Sequence, residues 1–283
     1  MKMMLLQGVV VVIVVLILII SAANFFFNQQ VEQEVAAMFS ANYQEESEII
    51  AEDDINDLPK VVQKWLTRAG VVGQEKISAV RLKQEGKMKS TPQGNWMATR
   101  AEQYFTVDEP EFIWQVKVKM APLLHLLGRD KYKAGSGNML IKLLGLITVV
   151  DESGKEIDQG TLLRYLGEMV WFPTAALSDY MQWAEIDSTT AKATMSYGGI
   201  TAEAVFEFNH QGDVINFSCQ RYYKALGEPS RLEKYKIPLS AHKDLGGLRI
   251  PTYGEAIWEL DEGDYCYYKL KVTDIDYNQA QIY

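Results

Sequence analysis

Between Met3 and Ala23 the only strongly polar side chains are Gln7 and Ser21, and Gly8 to Ile20 is an almost unbroken run of Val, Ile and Leu. About 21 residues of helix rise roughly 31 Å, which matches the hydrocarbon core of a bilayer. Such a segment either crosses a membrane or is removed as a signal peptide, for which Ser21-Ala22-Ala23 supplies small residues at the cut. The run exceeds the usual signal core, which favours a retained anchor over residues 1–24. No Cys follows it, so a lipid-modified N-terminal Cys is excluded. Lys2 precedes the run and the next basic residue is Lys60. That asymmetry leads us to expect a single-pass protein of the cytoplasmic membrane, N-terminus inside, with a periplasmic or extracellular body and Phe25 to Phe27 at the outer interface.

The net charge of −9 is local. Residues 24–59 hold nine acids and no Lys or Arg, whereas residues 60–283 hold 27 bases against 28 acids. A near-neutral body with no basic stretch argues against nucleic acid as a partner. Residues 25–57 read as an acidic segment, helical at Asn28–Asn42 and a linker at Glu45–Asp57, and residues 58–283 as the exported domain.

Pro59 at a first helical position, the apolar stripe Val61, Val62, Trp65 and Leu66, and Gly70 as a stop predict a short helix. After Gly73 the apolar period becomes two. Val80–Met88, a run starting at Trp96, Phe112–Met120, Asn138–Val150, Met181–Ile186, Ala191–Tyr197, Ala202–Phe208, Val214–Tyr223, Ile250–Leu260 and Tyr265–Ile275 alternate and are separated by turn signals. Roughly ten antiparallel strands must curl as their twist accumulates. One strong helix interrupts them, Thr161–Phe172, with Asp158 or Thr161 as cap and Pro173 as stop. A turn region near Pro122–Leu127 is a further helix candidate. The expected fold class is α+β: mainly an antiparallel curved sheet, a half-barrel, with one or two covering helices on the concave face, plus an N-terminal transmembrane helix.

The three histidines are scattered, His210 and His242 reading as solvated turn residues, so no zinc spacing exists and no metal or cofactor is expected. Gly135-Ser136-Gly137 reads as a hairpin turn rather than a phosphate loop. Cys219 and Cys266 fall on the apolar parity of their strands and are expected as two buried free thiols. The densest polar group among apolar residues is Arg129, Asp130 and Tyr132, with Arg164 and Glu168 at i,i+4 on the helix. Arg221, Tyr222 and Tyr223 are weaker candidates of the same kind. No catalytic residue is assigned. The candidate ligand-binding set is Trp114, Met120, Arg129, Tyr132, Arg164, Glu168, Trp171 and Phe172. Trp96 and Trp258 are further inward aromatics, Met169 further adaptable lining, and Trp171 is expected at a mouth, as a partly exposed lid.

Gly137 to Leu144 and Gly154 to Ala175 resemble the central signature of a family of bacterial membrane-anchored proteins known only as a domain of unknown function; the likeness runs from about Leu58 to Asn278. More distantly, the many-stranded sheet, the covering helix and the closing Asp274-Ile275-Asp276-Tyr277-Asn278 are similar to the half-barrel of periplasmic lipoprotein carriers. That resemblance implies a groove for acyl chains, although a membrane helix replaces the cleaved signal or lipidated Cys of those carriers. The expected function is a membrane-tethered, non-catalytic domain binding a lipid or other apolar ligand. The alternatives are a cell-envelope hydrolase or lyase using Arg164, Glu168 and Arg129, and a structural envelope scaffold.

Overall fold

The computed structural model describes residues 2–43, 48–225 and 227–283. Of the acidic segment, Glu45 and Glu46 lie outside the described residues. Helix α1 (Lys2–Asn42) runs without a break from the apolar segment into the body. Its first part, long and apolar enough to cross a membrane, is exposed throughout. Helix α2 (Lys60–Ala69) ends at Gly70, whose φ of 79° is the left-handed conformation that closes a helix.

The strands come in two up-and-down runs. The first is β1 (Ala79–Met88), β2 (Met97–Thr106), β3 (Glu111–Ala121), β4 (Leu124–Lys133), β5 (Ser136–Leu143) and β6 (Ile147–Ser153). The second is β7 (Met181–Asp187), β8 (Thr190–Tyr197), β9 (Ile200–Phe208), β10 (Val214–Tyr223), β11 (Arg231–Leu245), β12 (Leu248–Leu260) and β13 (Gly263–Tyr277). Pairing of β1 with β13 joins them into one antiparallel sheet of 13 strands, with β6 and β7 at its two free edges. Helix α3 (Lys155–Glu168) and two 3-10 turns, Met169–Trp171 and Pro173–Leu177, connect those edges.

That connection sets the shape. At about 4.8 Å per strand, a flat sheet would hold its edges roughly 58 Å apart. A helix of 14 residues covers only about 21 Å. The sheet therefore curls around α3, which packs against β4, β5 and β6 on one side and β9 and β10 on the other. Across the opening the β4–β5 turn meets the β8–β9 turn. Gly135 (φ 86°) and Gly198 (φ 60°) lie so close that a Cβ on either would collide with the other's backbone. Tyr132 Oη donates to the Tyr197 carbonyl beside them, 3.4 Å away.

The inner face of the curl is packed throughout its middle, and α1 covers the outer face over β1 to β5. Inside the curl, Phe105, Phe112, Phe206 and Phe217 pack with Tyr165, Leu166 and Phe172. On the outer face, Phe27, Val31, Val35, Met38 and Phe39, one stripe of α1, cover Ala79, Tyr104, Ile113, Leu127 and Leu140. The segment after α1 is also anchored, through buried Ile50 and Ile55 and a bridge between Ile49 and Glu75.

Several expectations need correction. Asn138–Val150 is two strands, β5 and β6, with a turn at Leu144–Leu146 rather than one run. Pro122–Leu127 is the β3–β4 turn and the start of β4, and β11 adds a strand the periodicity did not mark. Helix α3 begins six residues before Thr161, and its α-helical part ends at Glu168. Asp158 is not its cap; its Oδ1 accepts from the Gly137 backbone N–H at 2.7 Å, tying the helix to β5. His242 is a half-buried β11 residue whose Nε2 meets the Val214 carbonyl at 2.8 Å, whereas His210 is an exposed turn residue. Cys219 and Cys266 are free and half-buried.

Asp213, in the β9–β10 turn, ties α2 to the sheet. Arg249 of β12 donates to both its carboxylate oxygens, at 2.8 and 3.2 Å, and Arg68 of α2 lies 3.5 Å away. Burial works against its charge, but Arg249 and Asn209 outweigh it and hold the pKa at about 2, below the ordinary 3.8. A depressed carboxylate stabilises the fold above its unfolded pKa, and that contribution disappears as pH falls toward the folded value. Asp213→Asn should therefore lower the urea midpoint at pH 6, and the gap from wild type should close between pH 4 and about 2. Separately, Gly198→Ala should cost about 1–3 kcal/mol in denaturant unfolding, because it adds left-handed strain to a collision with Gly135.

Candidate functional site

Between α3 and the concave sheet lies a cavity of ≈ 370 Å³. Trp114, Val116 and Val118 of β3 form one wall; Ile237, Leu239 and Ala256, on β11 and β12, form the other. Helix α3 contributes Leu163 and Gly167, and the 3-10 turn after it contributes Val170 and Trp171. Gly167 matters because its α-carbon faces the Phe217 ring, and a Cβ there would stand 3.2 Å from it. Met88, Met97 and Met139 are flexible lining of the kind that adapts to irregular apolar ligands.

One wall is polar. Arg164 Nε donates to Glu168 Oε1 and its Nη1 to Asp130 Oδ2, both at 2.8 Å. Gln103 Nε2 donates to Glu168 Oε2 at 2.7 Å, Gln84 Nε2 to Gln103 Oε1 at 3.3 Å, and Trp114 Nε1 to Gln84 Oε1 at 3.0 Å. The Arg164 guanidinium also lies 4.5 Å from the Trp114 ring centre. Burial pushes the carboxyl groups of Asp130 and Glu168 upward, against the pull of Arg164. Burial likewise opposes charge on Arg164, but Glu168 and Asp130 outweigh it and raise its pKa. Arg221 of β10 completes the group. Its guanidinium stacks 5.0 Å over Tyr235 and 5.8 Å from Trp258, and among the described residues no carboxylate lies within 4.0 Å of it. Arg164, Arg221, Asp130 and Glu168 thus cancel in formal charge while one cation has no direct anionic partner.

Of the eight candidate residues, the structure brings Trp114, Arg164, Glu168 and Trp171 to the cavity. The others lie elsewhere. Arg129 neighbours Asp130 in sequence and so points to the opposite, outer face, where Nη1 donates to Asn138 at 2.6 Å and Nε lies 3.2 Å from Glu34 of α1. Tyr132 is buried at the β4–β5 turn. Phe172 is fully buried, its ring 4.7 Å from Phe105. Met120 is 43% exposed at the end of β3. Trp96 is exposed beneath the ammonium groups of Lys87 and Lys89, and Trp258 and Met169 pack in the core outside the lining. Trp171 is no exposed lid. It is 4% exposed, its indole donates to the Pro251 carbonyl at 3.1 Å, and its own carbonyl accepts from Tyr277 Oη at 2.6 Å.

Asp130 was in the polar group named from sequence, but Gln103, Gln84 and the methionine lining were missed. Arg221 carried the clearest signal: it continues the inward parity of Phe217 and Cys219, so a charge was placed where the pattern demanded an apolar residue. Among the described residues no cluster of His, Cys, Asp or Glu could hold a metal ion.

Fold and site together define an open antiparallel half-barrel wrapped around a helix, with an apolar cavity walled on one side by buried charges. The chain belongs to the Family of unknown function (DUF6544), whose profile matches residues 48–270. No curated protein matches it. Among solved structures it is similar to a DUF1329 family protein from Desulfovibrio piger, with 12% identity and a TM-score of 0.45 over 77% of this chain and 92% of that one. It is also similar to a LolA superfamily protein from Nitrosomonas europaea (8% identity, TM-score 0.39, 76% and 91% covered). A third is a putative outer membrane lipoprotein-sorting protein domain from Vibrio parahaemolyticus (8% identity, TM-score 0.39, 71% and 86% covered).

Trp171 closes the cavity and supports the core at once. Trp171→Ala should cost on the order of 3–5 kcal/mol, as other buried aromatic deletions do, with a clear fall in melting temperature. Melting of the full-length protein in detergent, within a degree or two of wild type, would show instead that this side chain contributes little to the core.

Proposed function

We propose that the body is a membrane-tethered, extracytoplasmic module that binds one lipid or other amphipathic ligand without chemical conversion. The observation that carries this reading is the cavity itself: a void of ≈ 370 Å³ in an otherwise close-packed core, apolar except for one charged wall. Its volume lies within the range of about 300–1,000 Å³ typical of ligand sites. The apolar part of the ligand occupies the space between β3 and β12, where it meets Val116, Met139 and Ala256. Its polar end lies at Arg221, the cation whose charge is balanced only at a distance. Both oxygens of Glu168 are already engaged, by Arg164 and Gln103, so that carboxylate serves to hold the wall rather than to move a proton. The uninterrupted passage of α1 from its apolar segment to the buried stripe Phe27–Phe39 supports a retained anchor, because the same helix forms part of the core.

Native mass spectrometry of the full-length protein, released from nanodiscs, should find one lipid-sized molecule bound per folded chain. Ala256→Phe fills the cavity from a position 5% exposed and should abolish that adduct while the protein remains folded. Arg221→Leu should retain apolar ligands and lose acidic ones. A wild-type protein that is folded and free of bound lipid in every membrane preparation would overturn the reading.

A further inference from the structure

We propose that the turns β3–β4 and β5–β6 form a membrane-docking surface, set into the same bilayer that the apolar part of α1 crosses. The argument begins with exposure. Met120, Leu123, Leu124, Leu146, Ile147 and Val149 are 43, 96, 37, 44, 62 and 57% exposed, and all lie at or beside these two turns. Two neighbouring turns with this much exposed apolar surface mark an interaction site.

The course of α1 says what covers them. Asn24 is the first residue beyond the apolar run, and its side-chain oxygen lies 3.2 Å from His125 Nε2 at the start of β4. Gly145, in the β5–β6 turn, packs so closely on Ala23 and Asn24 that a Cβ there would lie 2.8 Å from the Asn24 side chain. Further along, Glu34 of α1 lies 3.2 Å from Arg129 of β4. From Asn24 to Glu34 the helix advances about 15 Å, and from His125 to Arg129 the strand advances about 13 Å, so the two elements run side by side in the same direction. Followed the other way, Leu123 lies two residues beyond His125, about 7 Å past the level of Asn24. On the helix that is roughly the level of Ile19 and Ile20. If the apolar run spans the bilayer, Leu123 and Ile147 enter its hydrocarbon edge. The exposed Lys117 and Lys119 of β3 then stand at headgroup height, where an anionic surface attracts them.

The same geometry orients the cavity. Because the strands alternate in direction, the β1–β2, β3–β4 and β5–β6 turns share one end of the sheet. The cavity lining reaches that end at Met88, Lys89 and Ser90 and at Leu126, three residues from the tip at Leu123. Docking therefore holds this rim against the bilayer, so that a ligand passes between cavity and membrane without crossing water. This consequence rests on the cavity reading; the docking itself does not.

The test uses the full-length chain, with Cys219 and Cys266 replaced by Ser, in vesicles of phosphatidylethanolamine and phosphatidylglycerol. A fluorescent probe is attached at Leu123→Cys, at Ile147→Cys on the second turn, at Leu16→Cys inside the apolar run, and at Asp108→Cys. Asp108 lies in the β2–β3 turn, roughly 33 Å away along β3. Lipid-attached nitroxide should quench the Leu123 and Ile147 probes as it does the Leu16 probe, and aqueous iodide should quench only the Asp108 probe. Quenching at Leu16 alone, with Leu123 and Ile147 open to iodide, would overturn docking and leave the anchor intact. Leu123 and Ile147 shielded from both quenchers would show a protein partner on these turns instead, and also overturn it. A Leu16 probe open to iodide would remove the anchor and the proposal with it. The probe sites are exposed side chains and the two replaced cysteines are half-buried, so an unaltered strand-dominated circular dichroism spectrum qualifies each variant for the comparison, and either turn alone decides the outcome.

Discussion

The structure depends on one connection, the short helical passage from β6 to β7. Every other strand contact is a hairpin between chain neighbours or the pairing of β1 with β13, and none of these forces a sheet of 13 strands to close on anything. Joining the two free edges through 14 helical residues and two short turns does so. The sheet must wrap the helix, the helix must touch both halves, and the space left where α3 does not fill the curl becomes the cavity. The contact of Gly135 with Gly198 completes the wrap, and it needs residues without a Cβ because two backbones meet there.

The buried charges follow from the same arrangement. An arginine on a helix inside a curled sheet is surrounded by low-dielectric material, and it is retained because Glu168 on its own helix and Asp130 on the sheet both reach it. The relay through Gln103 and Gln84 to Trp114 engages the second oxygen of Glu168 and the indole N–H of Trp114. Arg221 lies outside this network and faces aromatic rings, so among the described residues no ion pair holds its guanidinium. The outer face is organised independently, by the stripe of α1 over Tyr104 and Ile113 and by Tyr283, whose ring lies tilted against Tyr104 with centres 6.2 Å apart.

Much was legible from the residues because two signals are local. Backbone periodicity marks strands wherever one face is buried and the other wet, as in Val80–Met88, and a run of 21 apolar residues admits few folds. The signal weakened where the two faces of a strand carry similar residues. In β11 the inward and outward residues differ little in polarity, and β4 begins with apolar residues on both faces because its tip is exposed. Parity also separates neighbours: it placed Arg129 and Asp130 on opposite faces, which is why only Asp130 of that pair reaches the cavity. Helix α3 began earlier than its apolar stripe because its start is set at Gly154, whose carbonyl accepts the Asp158 backbone N–H at 2.9 Å, and not by a side-chain cap.

The sequence by itself determined the long apolar helix, the dominance of antiparallel strands, the need for the sheet to curl, and the pairing of Arg164 with Glu168. These follow from spacings of one to a few residues, which a linear chain displays directly. Only the tertiary structure decided which inward residues border a void and which are packed solid: Trp114 and Trp171 line the cavity while Phe172 and Tyr132 do not, although all four share the same pattern. It also decided that the apolar tips at Leu123 and Ile147 lie beside Asn24, at the end of the apolar run. Both outcomes depend on where α3 and α1 rest against the curved sheet, and that is fixed by contacts between residues up to a hundred or more positions apart.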